Sequence, residues 1–304
     1  MSSSEPTASG GATSQTTSTP TVLSSPHPQV RCFSRPFSRF GILPVGGRST
    51  AIKLQQPPNE NAVWVLASTP LDEPVKESLK ELGGEVKWII AADAVHSMFT
   101  EEWSKAFPEA KCIGVEGLDA KRPNISWAGI YGKDREGTMY GFEEEIQARY
   151  FPTFANKDVA FHHVASRSAI VADLLFNLPA KEQYLGSPSK SPSSPVPFLT
   201  GMATKFNPFH GLHQTFLWNA GAAAAIPEAC VPEGVKLSTP GGSTEERRAR
   251  FAKDAEIFAA WGAERVIPCH GDVIEGKGRE AWLAACKKFL SPEGKSLFEK
   301  TASS

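Results

Sequence analysis

Two strand-like pairs, each followed by helix-patterned sequence, constrain this chain more than any other feature. In the first half, residues 51–54 and 63–68 are apolar runs separated by Pro57-Pro58-Asn59-Glu60-Asn61, which reads as a hairpin. Residues 72–82 then read as a helix: Asp72 suits the cap, Pro74 the first turn, and Val75, Leu79 and Leu82 share a face before Gly83-Gly84. Residues 86–91 and 111–115 are further strands, with a short helix over 100–107 capped by Thr100. In the second half, 159–164 and 168–175 pair as strands, 244–261 form an amphipathic helix, 265–267 a strand, and 278–289 a closing helix. Residues 119–154 have no clear period and read as irregular. Strands preceding helices in both halves predict two sheets packed between helices.

Composition sets the boundaries. A chain of 304 residues with 40% hydrophobic residues can bury a substantial core. The tail, 1–39, is expected to be disordered: its first 28 residues are Ser, Thr, Pro, Gly and Ala with few large apolar groups. The globular domain is expected over 40–292, with a low-complexity loop at 186–197 and a terminal tail at 293–304. A net charge of −1 gives no basic footprint for nucleic acid, and no apolar run reaches the length of a membrane span. Five scattered cysteines without a CxxC pair argue against a disulfide scaffold and fit a reducing compartment, so a cytoplasmic location is expected. The basic, aromatic segment 31–40 leaves a mitochondrial transit peptide as the alternative.

Four places carry metal-type chemistry. Asp93-Ala94-Val95-His96 follows a strand; His162-His163 ends one; Asp173 interrupts the apolar run 171–176; His270 sits in Ile267-Pro268-Cys269-His270-Gly271, a strand running into a tight turn. Neutral imidazoles and carboxylates delivered by several strand ends are what a metal-dependent hydrolase needs. Each has a plainer reading as well. A histidine after a strand often caps a turn, His162 and His163 face opposite sides of their strand, and Asp173 can pair with Arg167. Cys269 reads as a small buried residue. His210 and His213 lie one helical turn apart among Phe209, Phe216, Leu217 and Trp218, and read as an aromatic segment beside the pocket rather than a second metal site.

The order of these fragments resembles the metallo-β-lactamase superfamily, and within it a lactamase-like family of unknown function, over about 40–290. The resemblance implies an αββα sandwich with a metal site along one edge of the sheets. Residue by residue, it matches His163 to the histidine of a Gly-His turn, Asp173 to the aspartate that bridges two metals, and His270 to the last histidine. The signature His-x-His-x-Asp-His is degenerate here, reading Ala92-Asp93-Ala94-Val95-His96-Ser97. The resemblance therefore implies a reduced site, with His96, His163, Asp173 and His270 as ligands of one zinc or iron ion, and Asp173 and His270 as catalytic residues. A small-molecule hydrolase is the expected function. The alternative is a binding or scaffolding protein that holds no metal.

Overall fold

The computed structural model describes residues 19–223 and 241–298. The first strands are β1 (Val22–His27), β2 (Val30–Arg35), the short pair β3 (Ser38–Arg39) and β4 (Leu43–Pro44), β5 (Gly47–Lys53) and β6 (Ala62–Leu66). Helix α1 (Glu73–Leu82) leads to β7 (Glu85–Ile90), α2 (Thr100–Ala106) to β8 (Lys111–Val115), and α3 (Leu118–Lys121) to β9 (Trp127–Tyr131). These build a seven-stranded sheet of order β1-β2-β5-β6-β7-β8-β9, antiparallel as far as β6 and parallel from β6 to β9. The second sheet, β10-β11-β12-β13, uses Ile146–Tyr150, Val159–His163, Ser168–Val171 and Arg265–Pro268. Its last pair, β12 and β13, is parallel.

Alternation along each strand explains the layers. In β6, Trp64 and Leu66 face the second sheet, while Val63 and Val65 pack with Val75 and Leu79 of α1. In β11 and β12, Phe161 and Ile170 enter the same inter-sheet core, while Ala160, Ala169 and Val171 face the helical layer. After the short helices α4 (Lys181–Tyr184) and α5 (Pro197–Ala203), that layer holds α6 (Gly211–Ala220), α7 (Thr244–Ala260) and α8 (Gly278–Ala285), with Leu217, Phe251, Phe258 and Trp282 buried between them and the sheet. Fully buried side chains of this size each contribute about 1.5–3 kcal/mol. The result is the expected αββα sandwich.

Helix α1 is capped as its sequence predicts: Asp72 accepts the Val75 N–H, and Gly83 closes the C-terminus. Helix α2 differs, because Thr100 lies inside it and Phe99 stands at the cap without a side-chain bond. The stretch 119–154 contains β9 and β10, which its sequence does not announce. The N-terminal tail needs the larger correction. Residues 1–18 lie outside the described residues, but β1 and β2 belong to the main sheet, so order begins well before residue 40. Strand β2 buries Cys32 and Phe33 completely, and its Arg35 is neutralised by an ion pair with Asp72 at 2.7 Å. The polar look of β1 reflects an edge position, with Ser24 and Ser25 exposed. Cys230 and residues 299–304 also lie outside the described residues. Among the described residues no helix is long and apolar enough to cross a membrane.

Candidate metal centre

His96, Asp173 and His270 converge at one end of the sandwich. Each offers one ligand atom, and those atoms all lie within 4.8 Å of one another. Three strand ends deliver them. The loop after β7 carries His96, the end of β12 carries Asp173, and the end of β13 carries His270. Parallel pairing of β12 with β13 brings the last two out at the same edge, and the N–H of Cys269 donates to the carbonyl of Val171 at 2.9 Å. The β7 loop is fastened to the other sheet by Ala94 N–H to Asn156 O at 2.9 Å and Val159 N–H to Ala92 O at 2.8 Å.

Each imidazole is held by its far nitrogen. Asp93, fully buried, accepts His96 Nδ1–H at 2.8 Å and also the N–H groups of Val95 and His96. His270 Nδ1–H donates to the Gly46 carbonyl at 2.5 Å. Both Nε2 atoms therefore face the shared space, where they meet at 2.9 Å. The ring of His270 is stacked on Phe176, with centroids 5.2 Å apart, and faces Phe37 at 6.2 Å. Its freedom to turn is small.

The turn that carries His270 is clamped from beneath. Arg48 is 0% exposed, and its Nη1 donates to Pro268 O and Gly271 O, both at 2.7 Å. Gln183 bridges the same turn, donating to Cys269 O at 2.7 Å and accepting Gly271 N–H at 2.8 Å. Gly271 has φ +99°, and a Cβ there would stand 2.2 Å from the Asn177 carbonyl oxygen, so only glycine fits. Gly46 is similarly required: a Cβ would lie 2.0 Å from Gln183 Oε1.

Carboxylates dominate the electrostatics. Asp173 Oδ2 accepts from the Asn156 amide, while Oδ1 is buried without a hydrogen bond among the described residues, 3.4 Å from His270 Nε2. Asp158 Oδ2 accepts the N–H groups of Asp173 and Leu174, fixing the turn after β12. Burial raises Asp173 to about 6, against the pull of charged His96. Burial, with Asp93 and Asp173 nearby, holds Asp158 well above the usual carboxylate range. Burial opposes charge on His96 too, but Asp93 and Asp173 outweigh it and raise the imidazole to about 9. His270 is pushed down to about 3 by burial and by its charged neighbour.

The residues present fit a divalent cation. Two imidazoles turn their Nε2 atoms to the same point, each oriented through Nδ1 by a carboxylate or a carbonyl, and Asp173 Oδ1 lies buried beside them without a hydrogen bond. His163 does not join them. It lies at the opposite end of β11, bonded through Nδ1 to Ser166 Oγ at 2.8 Å, with the ring of His27 6.4 Å away. Because β11 runs antiparallel to β12, its site end is its beginning, and the residue found there is Asn156 in the preceding loop. His162 stacks on Trp261 on the other face. His210 caps α6 by accepting the Leu212 N–H, and His213 accepts the Phe176 N–H at 3.1 Å, so the pair serves the helix and the pocket wall. Cys269 is buried beside Ser68, and burial pushes its thiol far up, away from nucleophilic use.

No family model matches the chain. No curated protein matches it in sequence. Solved structures do match its fold. The metallo-β-lactamase DIM-1, solved after exposure to ceftazidime, is 10% identical with a TM-score of 0.51, over 88% of this chain and 97% of that one. VMB-1 is 7% identical with a TM-score of 0.52, over 89% and 98%. FIM-1 from Pseudomonas aeruginosa, in a mono-zinc form, is 10% identical with a TM-score of 0.50, over 88% and 94%. With its two sheets faced by helices, the chain has the fold of these metallo-β-lactamases.

Proposed function

We propose that this protein is a metal-dependent hydrolase acting on a small molecule through one ion held by His96, Asp173 and His270. The observation that carries the reading is the convergence of those three ligand atoms within 4.8 Å, with Asp173 Oδ1 buried and unbonded. Three protein ligands, not four, is the donor count of a catalytic zinc site, which keeps a position open for water. With His163 away from the centre, the expected four-ligand set is reduced to three. Two histidines and one carboxylate suit zinc or iron. A bound ion would supply Lewis acidity and a water that ionises near neutral pH.

The chain's own groups do the rest. Asp93 fixes the tautomer and direction of His96, and the Gly46 carbonyl does the same for His270. The Asn156 amide holds one oxygen of Asp173 so that the other faces the centre. Phe37 and Phe176 flank His270 and limit water on its two faces.

Metal analysis of the purified protein tests the proposal, together with a screen of esters, thioesters and phosphodiesters. About one equivalent of zinc or iron is expected, lost in His270→Ala along with hydrolysis. The opposing reading, a metal-free binding protein, draws on the direct 2.9 Å contact between the two imidazoles, which closes the cluster without an ion. Protein that stays metal-free after reconstitution with either ion would establish that reading.

A further inference from the structure

A cavity of about 320 Å³ opens beside two of the three candidate ligands, Asp173 and His270. Asp173, His270, Asn156 and Arg39 supply its polar groups, and every other lining side chain is apolar. Val45, Leu178, Ala203, Phe206 and Phe216 form much of that apolar wall. A second, smaller cavity of about 80 Å³ lies on the other side of His270, against His96, Ser68 and Cys269. His270 and Arg39 border both.

This asymmetry is built into the fold. Phe176 stacks on His270 and meets Phe206 and Phe216 edge-on, at centroid distances of 5.0 and 5.8 Å. One aromatic cluster therefore joins the site to the pocket wall. His213 pins the backbone of Phe176, holding that wall in place. At about 30 Å³ per water-sized group, the cavity accommodates roughly ten non-hydrogen atoms, and its apolar lining with few polar groups has the character of a ligand pocket.

We propose that the larger cavity is an acyl pocket, and that the substrate is a carboxylic ester or thioester with an apolar acyl group of roughly ten heavy atoms. The inference rests on the hydrolase reading above. The acyl chain lies along Phe206 and Ala203 with its carbonyl at the Asp173–His270 end, and the leaving group lies toward the smaller cavity. Hydrolysis there is balanced by water alone. The water oxygen bonds to the acyl carbon, the bond from that carbon to the alcohol oxygen or thiol sulfur breaks, one water proton goes to the leaving group, and a carboxylic acid is released.

Two measurements test this, one without catalysis. Titration of decanoate into metal-free wild-type protein, followed by calorimetry, is expected to show one site, and Ala203→Trp is expected to weaken it at least tenfold. Across p-nitrophenyl esters from acetate to laurate, kcat/KM of the metal-loaded protein is expected to rise about fourfold per added methylene until the cavity is full. Ala203→Trp moves that maximum to a shorter chain. A metal-loaded enzyme with a flat chain-length profile and no decanoate binding would overturn the acyl pocket while leaving the hydrolase reading intact. A protein that binds decanoate but neither metal nor ester-cleaving activity would keep the pocket and sink the hydrolase reading. Because the titration uses wild-type protein, the outcome does not depend on the folding of the variant.

Discussion

Replacing Arg48 by methionine tests whether the candidate centre is held from behind. The guanidinium is fully buried and donates to Pro268 O, Gly271 O, Ser34 Oγ at 3.1 Å and Glu182 Oε2 at 2.6 Å. Methionine fills most of the volume but supplies no donor. Two buried carbonyls lose their bonds, at about 1–3 kcal/mol each, or roughly 2–6 kcal/mol together. The Glu182 side chain is 39% exposed and also accepts the Val273 N–H, so water replaces its lost partner at little cost. Release of a desolvated charge offsets part of the sum, which places the expected loss at about 3 kcal/mol, the low end for breaking a buried pair. In urea the midpoint falls while the slope stays the same. Metal affinity also falls, by about 10–100-fold, because the turn that aims His270 is loosened although no ligand has changed. Glu182→Gln separates the two effects: it keeps the carbonyl bonds of Arg48 but leaves a buried charge without its counter-ion, so a loss of about 3 kcal/mol is expected with metal affinity unchanged. An Arg48→Met protein within about 1 kcal/mol of wild type, with unchanged metal affinity, would refute the reasoning and show that the turn supports itself.

Asp93→Asn keeps the size of the side chain but weakens its hold on His96 Nδ1–H, and metal affinity is expected to fall about 10–100-fold in a competition titration. Gly271→Ala drives a Cβ to within 2.2 Å of the Asn177 carbonyl, with a cost above the ~1 kcal/mol that a left-handed φ alone imposes. Gly41→Ala, at φ +71° with nothing within 4 Å, gives the comparison, and thermal melts of the two separate steric from conformational cost. Burial lowers His213 from 6.5 to about 3, so the unfolded chain binds a proton that the folded chain does not. That stability is complete above pH 6.5 and is lost as pH falls below it, at about 1.4 kcal/mol per unit. His213→Gln, which still offers an acceptor to the Phe176 N–H, is expected to reduce the slope of stability against pH between 4 and 6 by one proton.

Much of the scaffold is readable from local pattern, because strands that face a core on both sides spell long apolar runs and α1 carries its own caps. The ordered N-terminus is not. Arg35 in β2 looks like a tail residue until Asp72, 37 residues further along the chain, is seen to receive it. The same limit applies to the site. His96, Asp173 and His270 are conspicuous because each is out of character in its surroundings. Arg48 and Gln183 are not, since their partners lie 220 and 86 residues away.

His163 is a different matter, because its displacement follows from topology that the sequence already implies. If 159–164 and 168–175 form a hairpin, the residue facing Asp173 across the pair must come from the start of the first strand, and His163 must sit at the turn. The observed register, His163 opposite Ser168, is that hairpin. Strand polarity therefore brings the loop before β11, with Asn156, and not His163, beside Asp173. An amide there donates to Asp173 and leaves one carboxylate oxygen unbonded, whereas an imidazole would have offered a fourth ligand. The absence of His163 from the centre is thus a consequence of which way β11 runs.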